Sequence, residues 1–191
     1  MKKTIFILIV LTSLCTHKGV ISQDIPPPNP DLVINILNGQ SIVFVFDEMS
    51  EYMNGIMNAG HVTFIRIGSI YDWKLQFNAD QVMFYGTGNP SNTMALNNVG
   101  VIVTSVGTHQ DDGTHLISYA KVVPLALESA AVTLLTKGSI SNKGYALRNS
   151  FTLGWEIGTR RGNMNPIRML EQNLGADTYN LNVVLTLSPV F

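Results

Sequence analysis

Thiol chemistry is nearly absent from this chain. Its single cysteine, Cys15, stands in an N-terminal stretch built like a secretory signal. The remainder therefore has no internal disulfide, no Cys-based metal site and no thiol nucleophile. Charge is scarce too: Asp, Glu, Lys and Arg supply 13% of residues, too few for the basic stripe by which proteins hold nucleic acid. No apolar run reaches the ~20 residues of a membrane-spanning helix. No GxSxG elbow is present, and no repeat of 20–50 residues suggests a solenoid or propeller. Aromatic residues, at 8%, do not form the girdles of an outer-membrane barrel.

What is present begins with export. Lys2 and Lys3 form a positive start, residues 5–11 (IFILIVL) form a short apolar core, and Val20-Ile21-Ser22 permits a cut before Gln23. Leu14, ahead of Cys15, is not the small residue that lipid attachment prefers, so residues 1–22 are expected to leave as a signal peptide. Of the 12 basic residues Lys2, Lys3 and Lys18 leave with it, so nine face 13 acidic ones, a net charge of −4. The expected product is secreted, at the cell surface or in the periplasm. Residues 23–31 (QDIPPPNPD) form a Pro-rich arm, extended and solvated. Residues 32–191 are expected to form one domain, long enough to bury roughly 70% of its unfolded surface.

Within that domain the patterning has period two. Tyr71, Trp73, Leu75, Phe77 and Ala79 alternate with Asp72, Lys74, Gln76 and Asn78, describing a strand with one face in a core. Phe151, Leu153, Trp155 and Ile157 repeat the pattern, as do Tyr179, Leu181, Val183, Leu185 and Leu187. Each Trp needs a large apolar partner surface, best supplied by a second sheet. Asn38-Gly39 predicts a hairpin joining residues 32–37 to 40–46. Met49, Tyr52, Met53 and Ile56 predict a short helical crossover with Asp47 as its cap. Gly68-Ser69 suggests a bulge, and residues 116–123 are expected to pair with residues 99–106 across a turn at Asp112-Gly113. Residues 125–135 read as two short strands, and 85–98 and 159–165 as long polar loops. The sum is an all-β, antiparallel β-sandwich of the Ig-like or pilin-like kind, with eight to ten short strands.

A removable signal, strands rich in Thr, Ser and Asn, and the ending Gly175-Ala176-Asp177-Thr178-Tyr179 followed by NLNVVLTLSP resemble exported pilin-like and spore-coat-U-like β-sandwich subunits. The resemblance implies a structural or adhesive surface protein, a self-assembling or fimbria-like subunit. Its partners are then further copies or other surface subunits, with a periplasmic chaperone. Strand addition suits any sheet with an open edge. One alternative is an extracellular module for a glycan or small ligand, carried on the loops at 85–98 and 159–165. Another is a small outer-membrane β-barrel, suggested by Phe191 after an alternating strand.

Candidate site residues are few. His109, Asp111, Asp112 and His115 contain metal-ligating atoms, but their spacing matches no established zinc or calcium loop and suits an ordinary turn. Arg160 and Arg161 could grip a carboxylate or phosphate. Trp73 and Trp155 could stack on a sugar, although their alternation places them with core residues. No catalytic residue and no cofactor is expected, and the protein is read as a non-enzyme.

Overall fold

The strand carrying Trp73, β4 (Asp72–Ala79), buries every second residue, and Trp73, Leu75 and Phe77 are wholly inaccessible. The structure, a computed structural model, describes residues 31–107, 114–144, 146 and 149–191, together with the backbone of residues 10–13. The predicted signal peptide, apart from residues 10–13, and the Pro-rich arm, apart from Asp31, lie outside the described residues.

Two sheets face each other across the apolar core. In the first, β4 lies between β12 (Tyr179–Val190) and β10 (Val132–Lys137), and β10 pairs with β8 (Leu116–Ser118). Short strands β5 (Phe84–Gly86) and β6 (Thr93–Met94) extend it beyond the N-terminal end of β12, and β1 (Val10–Ser13) lies parallel to β12. The second sheet runs in the order β2 (Leu32–Asn38), β3 (Val62–Ser69), β11 (Ser150–Ile157), β7 (Val99–Ser105) and β9 (Leu125–Ala126). All pairings but that of β1 are antiparallel. This is the all-β sandwich that the alternation predicts, and two separate sheets over a filled core are not a closed barrel.

Trp73 and Trp155 belong to facing layers and are both buried. The ring nearest Trp73 is that of Phe151, edge-on with centroids 5.5 Å apart. Burying one large apolar side chain stabilises a fold by about 1.5–3 kcal/mol, so a core that holds Phe44, Phe46, Ile65, Trp73, Phe77, Phe151, Trp155 and Tyr179 can dispense with disulfides.

Several local expectations are corrected. β2 does not form a hairpin with residues 40–46; it pairs with β3, from Leu32↔Ser69 to Asn38↔Phe64. Gly39 turns with φ 71°, pressed so closely on the Val62 carbonyl that any side chain would collide with it. The chain thus leaves the ladder where the hairpin turn was expected. The bulge lies on β2, between Ile36 and Asn38, and not at Gly68-Ser69. The helix α1 (Met49–Asn54) is capped at Glu48, and the Glu51 carboxylate accepts from the N–H groups of both Asp47 (2.8 Å) and Glu48 (3.1 Å). β8 pairs with β10 in the opposite sheet and not with β7; the expected turn at 108–113 lies outside the described residues. Residues 125–135 do yield two short strands, β9 and the start of β10, one in each sheet.

Candidate functional site

Beyond Gly39 the chain bends at residues 40–41, and residues 41–47 then alternate between exposed and buried. Ile42, Phe44 and Phe46 point into the core, while Val43 and Val45 are 38% and 39% exposed. This alternation belongs to a strand, yet among the described residues the segment joins no ladder. Among the described residues side chains hold it: Phe44 stacks on His61 with centroids 4.4 Å apart, and Tyr52, packed on Phe46, donates its hydroxyl to the Phe46 carbonyl at 3.0 Å. Its inward residues hold a core position, and the turn at Gly39 removes it from the pairing that would otherwise satisfy its backbone.

The other wall of this side of the molecule is β12. Val183 pairs with Ala79 of β4 and with Ser13 of β1, so β1 and β4 lie on opposite edges of β12. β1 covers Asn180–Val183 only, and along residues 184–190 no described strand pairs with that outer edge. Ile42 faces Val183 and Leu185 across a cleft whose free volume, about 10 Å³, admits no more than one water. The cleft is a narrow seam between Ile42 and the β12 residues Val183 and Leu185, not a small-molecule cavity. An unpaired strand edge is a template for a further strand, because its N–H and C=O groups are aimed outward with no partner.

At the N-terminal end of β12 the loops are fixed by Asp177. Its carboxylate accepts from the backbone N–H groups of Gly88 (2.8 Å), Asn89 (2.9 Å) and Thr178 (2.8 Å), and from the Asn92 amide (3.0 Å). These donors, the Gly88 N–H foremost, lower its pKa from an ordinary 3.8 to about 2. A carboxylate depressed in the folded state stabilises the fold above the unfolded-state value, and this contribution fades as pH falls through the folded value. Asp177→Asn is therefore expected to lower the melting temperature at pH 7 and to narrow its gap to the parent as pH falls from 4 towards 2. Thermal scans across that window check this; an equal gap at both ends contradicts it.

The predicted site residues fall elsewhere. Trp73 and Trp155 offer no ring face to a ligand: their indole N–H groups donate to the Asn142 carbonyl (3.0 Å) and the Thr63 hydroxyl (2.9 Å) within the core. Arg161 is occupied, its Nη1 lying 3.0 and 3.3 Å from the two oxygens of the wholly buried Glu156 and its Nη2 donating to the Val122 carbonyl. Arg160 is exposed and among the described residues reaches only the Met53 carbonyl, at 3.4 Å, so the two arginines do not form a joint grip. His115 is half-buried beside β8, whereas His109, Asp111 and Asp112 lie outside the described residues. Among the described residues no three of His, Cys, Asp and Glu gather as metal ligands, and no helix is long and apolar enough to cross a membrane.

Sequence reading passed over Asn142 and Glu156. Both sit in stretches whose composition suits a solvated turn or face, and only distant parts of the chain bury them. Compared with protein-family models and with curated proteins, the chain matches none.

Proposed function

We infer that the protein is an exported, non-enzymatic subunit of the cell surface that functions by assembling with further copies through an added β-strand. What supports this reading is the seam where Ile42 meets Val183 and Leu185: residues 42–47 alternate in burial as a strand does, yet among the described residues they join no ladder. Cleavage before Gln23 removes β1, and with it the strand lying on Asn180–Val183. No described strand then pairs with the outer edge of β12. An incoming strand with alternating apolar residues gains main-chain hydrogen bonds from β12 and packs its side chains beside Ile42, Phe44 and Leu185.

Charge on a strand edge opposes such pairing. Val43→Lys with Val45→Lys, both at solvent-facing positions, is expected to weaken self-association of the exported chain at least tenfold, about 1.4 kcal/mol. The melting temperature should change little, as is usual for surface substitutions. Sedimentation over a concentration series measures both states. A double variant that associates like its parent contradicts the proposal.

A further inference from the structure

The outer face of the second sheet carries a groove of about 300 Å³ that the assembly reading does not use. Residues directly opposite one another on neighbouring strands share a face. The register places Asn35, Arg66 and Ser150 in one row across β2, β3 and β11. Asn38, Phe64, Thr152 and Ser105 form the next row, ending on β7. The bulge on β2 turns Leu37 outward, 51% exposed, to form one wall. One aromatic ring and one guanidinium are thus framed by hydroxyls and amides, all carried on strands of one sheet.

Two features set this groove apart from ordinary surface. Arg66 is half-buried, yet none of the ion pairs among the described residues involves it; its only side-chain hydrogen bond among them runs from Nε to the Ser150 hydroxyl, at 3.3 Å. A guanidinium has five donors in a fixed fork, and among the described residues one of them has a partner. Phe64, in turn, stands 39% exposed on an interior strand and stacks on no other ring among the described residues.

We propose that this groove binds a sugar acid, a pyranose carrying a carboxylate. The planar carboxylate matches the Arg66 fork, the apolar face of the ring lies on Phe64, and Ser105, Ser150 and Thr152 meet the hydroxyls. Arg66 is the one cation among the described lining residues, and one cation among neutral hydroxyls suits a monoanion better than a phosphate dianion, which gathers several cations. The volume lies at the lower end of small-ligand sites, the scale of one or two sugar rings.

The test uses the full chain, titrated by NMR or calorimetry with the methyl glycosides of glucuronate, galacturonate and N-acetylneuraminate. Methyl glucoside, methyl galactoside and acetate serve as controls. At least one acidic sugar is expected to bind with a Kd on the order of 1 mM or tighter, and its neutral counterpart at least tenfold more weakly. Arg66→Gln should bring the acidic sugar down to the level of the neutral one. Phe64→Leu should weaken both, with the melting temperature of each variant confirming the fold. Binding of none of the three, equal binding of acidic and neutral partners, or acetate binding as tightly as the sugar acids would overturn the proposal. The last outcome would mark a plain carboxylate site, such as one for a peptide terminus.

Discussion

Arg161→Ala is expected to destabilise the protein by about 3 kcal/mol, far more than the loss of a partly exposed side chain ordinarily costs. Glu156 stands on β11 with no solvent access, on the sheet face that residues 158–164 and the stretch around Val122 cover. Its two oxygens share one guanidinium nitrogen, so truncating Arg161 leaves a buried carboxylate without its partner. Stranding such a charge typically costs about 3–5 kcal/mol. The lower end applies because the Arg161 side chain is 34% exposed and water can occupy the place it leaves. For a chain of this size the melting temperature should fall by roughly 6–12 °C. Glu156→Gln on the Arg161→Ala background should recover more than half of the loss, since a neutral amide is far less costly to bury. Urea unfolding of the two variants decides the matter. A loss below about 1 kcal/mol for Arg161→Ala means that water replaces the partner and the carboxylate is not stranded.

A loss of similar size is expected for Asn142→Ala. Asn142 is wholly buried and pairs with Trp73 as a ladder residue would: its Oδ1 accepts from the Trp73 N–H (3.0 Å) and its Nδ2 donates to the Trp73 carbonyl (2.9 Å). Its own carbonyl accepts from the Trp73 indole at 3.0 Å. The side chain thereby closes the end of β4, and its backbone N–H donates to Asp72 Oδ1. Truncation leaves a buried N–H and a buried carbonyl unsatisfied at about 1–3 kcal/mol each, giving a loss of about 3 kcal/mol. Trp73→Phe removes only the indole bond and some apolar area, so about 1–2 kcal/mol is expected there. If urea unfolding shows Asn142→Ala costing no more than Trp73→Phe, water has replaced the lost bonds and the side chain is not the plug described.

The layers were legible because the strands of Trp73, Trp155 and Tyr179 alternate cleanly, and alternation reports burial directly. Pairing was not, because a strand shows the same alternation whichever neighbour it takes. Asn38-Gly39 therefore suggested a hairpin that the longer register of β2 on β3 displaces. Residues 41–47 alternate as a strand does, but whether they join a ladder depends on where Gly39 points the chain, and among the described residues they join none. The pairing of Arg161 with Glu156 was not legible because Glu156 alternates with buried residues, the pattern of an outward-facing, wet position. The cover supplied by residues 158–164 has no local signal. Phe64 and Arg66 stand two apart on β3 and carry no signal of a site by themselves; only the register across β2, β11 and β7 brings them into a groove.

Strand entry at the edge of β12 and residues 41–47 is the proposal on which the assigned role depends. Amide hydrogen exchange on the exported chain, at concentrations below and above its association midpoint, tests it most directly. Fast exchange is expected at outward-facing amides of residues 184–190 and 41–47 in the dilute protein, and slow exchange at both once it has assembled, with the rest of the sandwich unchanged. Assembly that leaves those amides exchanging freely, or a chain that stays monomeric at every concentration, would contradict it.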